Sequence, residues 1–306
     1  MRLRTGRPDL ARYADRFSVA AAVGGTPLSA TWLGVATVLL TDGASAVLTD
    51  GFFTRPGLAR VASSRLAPSP ARVDECLSRA GISTLDAVVC VHTHFDHALD
   101  SALVAERTGA RLVGGESTAN LGRGHGLSPE RIVIATPGEP MLFGAFEITL
   151  VASRHCPPDR YPGVIDEPLR PPVRASAYRC GEAWSVLVAH QPTRHRCLIQ
   201  GSAGYVPGLL DDYQAEVAYL GLGQLGLQSE QYLRQYWTQT VRAVGAHTVV
   251  GIHWDDFFRS LSRPLRALPF AADDLDHSMR VLAGLADADG VALRLPTVWR
   301  PENPWA

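Results

Sequence analysis

Val91-His92-Thr93-His94-Phe95-Asp96-His97 places four metal-capable side chains in six consecutive positions, spaced His-x-His-x-Asp-His. Neutral imidazoles and a carboxylate suit zinc, iron or manganese, and alternate residues of an extended turn can aim two histidines at one ion. The preceding Leu85-Asp86-Ala87-Val88-Val89-Cys90-Val91 reads as a short, fully buried strand, and Ala98 to Ala105 begins a helical pattern. The cluster is therefore predicted on a strand-to-helix loop. Capping of that helix by Asp96 would account for one carboxylate but not for three histidines.

Outward from this run, apolar stretches at Trp32 to Leu40 and Ala46 to Thr49 read as two strands joined by Thr41-Asp42-Gly43, with Asp50-Gly51 after the second. Downstream, Phe146 to Val151 alternates as a strand should and is followed by His155, while Thr248 to Ile252 runs directly into His253. In layered α/β folds functional side chains collect on loops at strand ends, so both histidines are candidate ligands.

The His-x-His-x-Asp-His run resembles the signature of the metallo-β-lactamase fold superfamily, and residues 30 to 260 follow that family's pattern in order. The resemblance implies an α/β fold, a four-layer αββα sandwich of two related halves packed sheet to sheet. It implies one domain over residues 1–306, with its core at about 30–260 and a C-terminal helix and strand at 273–295. It also implies a metal centre. His92, His94 and His155 would make a three-histidine site with an open fourth position, and Asp96, His97 and His253 a second site. Asp50 would orient a ligating imidazole from behind, a place that an ordinary Asp-Gly turn residue fills equally well on sequence grounds.

One departure stands out. The superfamily usually places a metal-bridging aspartate after a strand between the third and fourth ligand histidines; here Arg196 to Gly204 puts Ser202 at that place. A bridging carboxylate screens the repulsion between two cations and fixes their separation, which a neutral hydroxyl does poorly. Firm occupancy of the first site and partial occupancy of the second are therefore expected. Asp255 and Asp256 could fold back toward the metals, but both read better as N-caps of a helix beginning at Phe257. The cofactor is expected to be zinc, as one or two ions, with manganese or iron as alternatives.

Thr-Asp-Gly, the histidine run and the late His253-Trp254-Asp255-Asp256-Phe257 look most similar to the lactonase-like and phospholipase-like hydrolases of the superfamily. That resemblance implies a metal-dependent hydrolase in which metal-activated water attacks an ester, lactone or phosphodiester, with Asp96 orienting the water or taking its proton. Histidine at 94 argues against the superfamily's di-iron oxidoreductases, which carry glutamate there, and Ser202 argues against its sulfur dioxygenases. The alternative is a non-catalytic, degenerate metal-binding protein.

Composition fits a soluble enzyme. A chain of 306 residues with 46% hydrophobic content can bury a large core, and a formal net charge of −1 gives no global pull toward nucleic acid. A small-molecule substrate is expected and nucleic acid is not; self-association is left open. All 29 basic residues are arginine, which removes lysine chemistry. Five scattered cysteines form neither a zinc knuckle nor a disulfide framework: Cys90 and Cys197 read as buried thiols, Cys156 as a bystander beside His155. No secretory signal and no membrane span are apparent, so a cytoplasmic location is expected.

The proline-rich stretch 156–175 has no periodicity and is predicted to form an ordered wall over the site. Around it Arg154, Arg160, Arg170 and Arg174 could meet an anionic group, though each alone reads as solvated surface. The glycine-rich segment 114–127 matches no phosphate-loop spacing, and His125, His190, His195, His247 and His277 lack ligand spacing. Helices are predicted at Ser229 to Val244 and Asp273 to Ala288, with Tyr232, Tyr236 and Trp237 packing inward.

Overall fold

The computed structural model describes residues 4–306. Short apolar runs bounded by Gly, Asp and Pro become strands of two seven-stranded sheets. The first holds β1 (Ser29–Trp32), β2 (Val38–Thr41), β3 (Ala46–Thr49), β4 (Ala87–Val89), β5 (Arg111–Gly114) and β6 (Ile132–Ile134). The second holds β7 (Pro140–Phe143), β8 (Phe146–Ala152), β9 (Trp184–His190), β10 (Arg196–Gln200), β11 (Val217–Gly221), β12 (Thr248–Ile252) and β13 (Ala292–Arg294). A final strand, β14 (Pro301–Glu302), returns to the edge of the first sheet beside β1. The strand orders are β14-β1-β2-β3-β4-β5-β6 and β13-β12-β11-β10-β9-β8-β7.

Each sheet has the same plan. An antiparallel meander (β1 to β3, β7 to β10) is followed by parallel strands (β3 to β6, β10 to β13). Parallel neighbours need crossovers, and these carry the helices: α1 (Leu58–Ser63), α2 (Pro70–Arg79), α3 (Phe95–Ala98), α4 (Ser101–Thr108), α5 (Glu116–His125), α6 (Glu230–Trp237) and α7 (Leu275–Asp289). Every residue of β4, β11 and β12 is buried, as expected of strands covered on both faces. One contiguous apolar core runs through both sheets. The arrangement is the αββα sandwich expected from the sequence. Among the described residues no helix is long and apolar enough to cross a membrane.

Several local expectations need correction. The apolar run Trp32 to Leu40 is not one strand, because Gly34 and Val35 take positive φ of 93° and 50° and Thr37 N–H donates to the Gly34 carbonyl at 2.9 Å. The resulting hairpin turn is buried, which is why its sequence stays apolar. The strand predicted over Leu85 to Val91 contracts to β4, and its helix starts earlier, at Phe95. The predicted helix Ser229 to Val244 is α6 followed by a π-type turn over Thr238–Arg242. No helix follows Asp256: residues 257–260 form a turn, so Asp255 and Asp256 are not helix caps.

Candidate metal centre

Side chains from five loops meet at one end of the two sheets. Asp50 follows β3, His92 to His97 follow β4, His155 follows β8, Ser202 follows β10 and His253 follows β12. Ligand atoms of His92, His94 and His155 lie within 4.8 Å of one another, and so do those of Asp96, His97 and His253. These are the six residues proposed as ligands from the sequence, and they come together in the two groups expected.

Backbone strain gathers here. Asp50 and His253 both take φ of 56°, and Gln224, in the turn that packs on His253, takes 63°. Non-glycine residues in this left-handed region cost roughly 1–3 kcal/mol each and persist where the surroundings over-determine them. Asp50 shows how. Its Oδ1 accepts the Val91 N–H at 2.9 Å, its carbonyl accepts the Ser101 hydroxyl at 2.6 Å, and its Oδ2 lies 2.7 Å from His97 Nδ1. Gly223 is required beside His253, since a Cβ there would lie 2.7 Å from the imidazole Nδ1.

Hydrogen bonding fixes where ring lone pairs point. His97 Nδ1 faces the Asp50 carboxylate and so carries the proton, leaving Nε2 as an acceptor. His155 Nδ1 faces its neighbour's carbonyl at 2.6 Å, leaving its Nε2 free in the same way. His97 Nε2 lies 3.1 Å from His253 Nε2. Both ring nitrogens of His92 are buried without a hydrogen-bond partner. Buried imidazole nitrogens are normally satisfied; a set whose lone pairs converge instead is the donor set of a divalent cation. The residues present therefore fit a metal.

The electrostatics agree. Burial holds the His92 and His94 imidazoles below their usual range, and His155 is pulled down to about 4 by burial and the neighbouring His94, so these rings are neutral. Burial alone would push the Asp96 carboxyl up, but the flanking His97 and His253 hold it well below the carboxylate range. Burial also pulls on His97, yet Asp50 and Asp96 outweigh it and raise that ring.

Ser202 occupies a supporting place. Its hydroxyl accepts the Cys156 N–H at 2.9 Å, and its carbonyl accepts from the Gln200 side chain at 3.1 Å, tying the β10 turn to the His155 loop. Cys156 is a buried free thiol beside that contact. The proline-rich stretch lies against His94 through Asp159 and Tyr161, and Arg154, Arg160, Arg170 and Arg174 are exposed.

Sequence reading missed a buried clamp. Arg55, at φ 45°, forms a fully buried ion pair with Asp255, whose Oδ1 accepts the Val35 N–H at 3.0 Å; the Val35 carbonyl in turn accepts the His253 N–H at 2.9 Å. Asp256 pairs with Arg266 at 2.9 Å and Arg7 at 3.0 Å. Asp255 and Asp256 are thus structural braces, not ligands.

A sequence profile described as the metallo-beta-lactamase superfamily matches residues 30–183, half of the chain. This chain belongs to the metallo-beta-lactamase superfamily. The matched span contains Asp50, His92, His94, Asp96, His97 and His155, while Ser202 and His253 lie beyond it. Among solved structures, this metallo-beta-lactamase fold superposes on a possible metal-dependent hydrolase from Veillonella parvula with a TM-score of 0.55 and 15% identity, covering 93% of this chain and 99% of that one. Igni18, a metallo hydrolase from Ignicoccus hospitalis, gives 0.51 and 14% over 90% and 96%. CmlA, a diiron beta-hydroxylase from Streptomyces venezuelae, gives 0.51 and 13% over 89% of this chain but 53% of its own. At such identities the likeness speaks for the fold alone. No curated protein matches the chain.

Proposed function

We propose that this protein is a metal-dependent hydrolase acting on an ester, lactone or phosphodiester bond of a small substrate, with Asp96 as its catalytic carboxylate. The observation that carries the reading is the convergence of His92, His94 and His155 beside Asp96, His97 and His253, with both His92 nitrogens otherwise unpartnered. A divalent ion, with zinc the first choice, supplies Lewis acidity that polarises a substrate oxygen and acidifies water. His92, His94 and His155 would hold it firmly; Asp96, His97 and His253 would hold a second ion less tightly, since Ser202 brings no charge between them. Asp50 keeps the His97 ring oriented.

Asp96 suits its role because its side chain, 14% exposed, is open to solvent while the His97 and His253 rings keep it ionised. An ionised carboxylate at that opening accepts a hydrogen bond from water and so orients it toward the substrate. An anionic substrate group would find the exposed guanidinium groups of Arg154, Arg160, Arg170 and Arg174 on the side of the proline-rich stretch. A single domain over residues 1–306 and a cytoplasmic setting accord with the contiguous core and the five free thiols.

The test is a panel of lactones, esters and phosphodiesters assayed with added zinc and manganese, alongside Asp96→Ala and His97→Ala. Hydrolysis of one class, lost in both variants, is the expected result. Uniform inactivity, indifferent to both substitutions, would favour the degenerate metal-binding protein instead. Elemental analysis should find one firmly held ion per chain and a substoichiometric second; two tightly held ions would overturn the weaker second site.

A further inference from the structure

His94 differs from the other ligands in what lies behind it. Its Nε2 is 3.1 Å from an Asp159 carboxylate oxygen and 3.4 Å from the Tyr161 carbonyl. Both neighbours can only accept hydrogen bonds, so Nε2 carries the ring proton and Nδ1 the lone pair. We propose that Asp159, on the proline-rich loop, is the positioning carboxylate of His94, setting its tautomer and ring orientation for metal binding as Asp50 does for His97.

The carboxylate is itself held in place. Asp159 Oδ1 accepts the Tyr161 N–H at 3.0 Å. Its loop is laced to the metal turn through a second segment: Cys180 N–H donates to Tyr161 at 2.8 Å, Gly181 N–H to Gly163 at 2.9 Å, and Thr93 N–H to the Cys180 carbonyl at 2.8 Å. The Thr93 hydroxyl adds a bond to the Arg179 carbonyl at 2.6 Å. Gly181, at φ 64°, permits this close layer, since a Cβ there would stand 2.6 Å from Thr93 Oγ1. Thr93 sits between His92 and His94, so the loop and the ligand turn are one hydrogen-bonded unit. The His94 side chain is 7% exposed and that of Asp159 24%, which separates the pair from a solvated surface contact. A metal-bound imidazole commonly donates its other N–H to a carboxylate, and loss of that partner typically weakens metal binding about 10- to 100-fold.

The inference rests on the reading that His92, His94 and His155 hold a metal, and its test separates the two. Zinc affinity is measured by chelator competition on the full chain, together with imidazole ¹H–¹⁵N spectra of the zinc-loaded protein. Asp159→Ala should weaken the tighter site about 10- to 100-fold and abolish the protected His94 Nε2–H signal. Asp159→Asn, which keeps an acceptor oxygen, should recover the signal and part of the affinity. Asp166→Ala, an exposed carboxylate on the same loop, should change neither. A loss below fivefold with the signal intact would overturn the proposal, and so would loss of a whole metal equivalent, which would mean direct ligation. Wild-type protein that takes up no zinc would overturn the metal centre itself, whatever Asp159 does.

Discussion

Asp50 and Asp100 are both buried carboxylates, but they do different work. Asp50 spends its two oxygens on Val91 and His97, so Asp50→Asn keeps the shape and removes the charge that makes the His97 ring basic. Zinc titration should show the second site weakened about 10- to 100-fold with the first little changed. Asp100 accepts from Phe53 N–H, Thr54 N–H and the Thr54 hydroxyl, yet burial pushes its carboxyl up from 3.8 to about 6. A folded-state value above the unfolded one means the contribution is present below about pH 4 and is lost as pH rises through 6. The loss is on the order of 2–3 kcal/mol. Asp100→Asn should flatten that part of the profile, read as the difference between variant and wild type in chemical denaturation from pH 4 to 7. The ligand residues were legible because four are nearly contiguous and two come soon after apolar strands, His253 directly and His155 three residues on. Arg55, Asp255 and Val35 were not, since their partnership joins positions some 200 residues apart, and alone Val35 reads as part of an apolar strand and Asp255 as a helix cap.

At the level of elements, the same clamp explains why the run from Trp32 to Leu40 misleads. Hydrophobic periodicity reports burial, and a buried turn is as apolar as the strands it joins. What breaks the strand is Gly34, whose added Cβ would stand 2.3 Å from Arg55 Nη1. Arg55→Ala would leave Asp255 charged, buried and unpaired, a change that typically costs 3–5 kcal/mol. It should lower the denaturation midpoint and, because Val35 anchors the His253 backbone, loosen the second metal site; Gly34→Ala should do the same by steric means. Strands β8 and β12 were read well because they alternate or run unbroken into polar residues. The ends of α3 and α6 were less so, as short helices and a π-type turn leave no periodic signal of their own.

For the molecule as a whole, the ligands are shared between the halves. His92, His94, Asp96 and His97 belong to the first sheet's loops, His155 and His253 to the second's. A cation bound to both therefore staples the sandwich, and its binding free energy adds to folding stability by about 4 kcal/mol at a thousandfold excess over Kd. Chelation should lower the melting temperature and restored zinc should raise it again in a concentration-dependent way; a melting temperature indifferent to both would separate the centre from the fold. The fold class was legible because the histidine run resembles the superfamily signature and the strand-end histidines follow in that family's order, whereas the partnership of β1 with β14 carries no local signal at all.

That partnership has a bearing on biosynthesis. The first sheet draws six of its seven strands from residues 29–134, but its β1 border is sealed only by residues 301–302. During translation the early half must wait on the ribosome with an unpaired strand exposed, the condition under which nascent chains recruit neighbours or chaperones. Synthesis of residues 301–302, rather than completion of either half alone, is the moment at which that vulnerability closes.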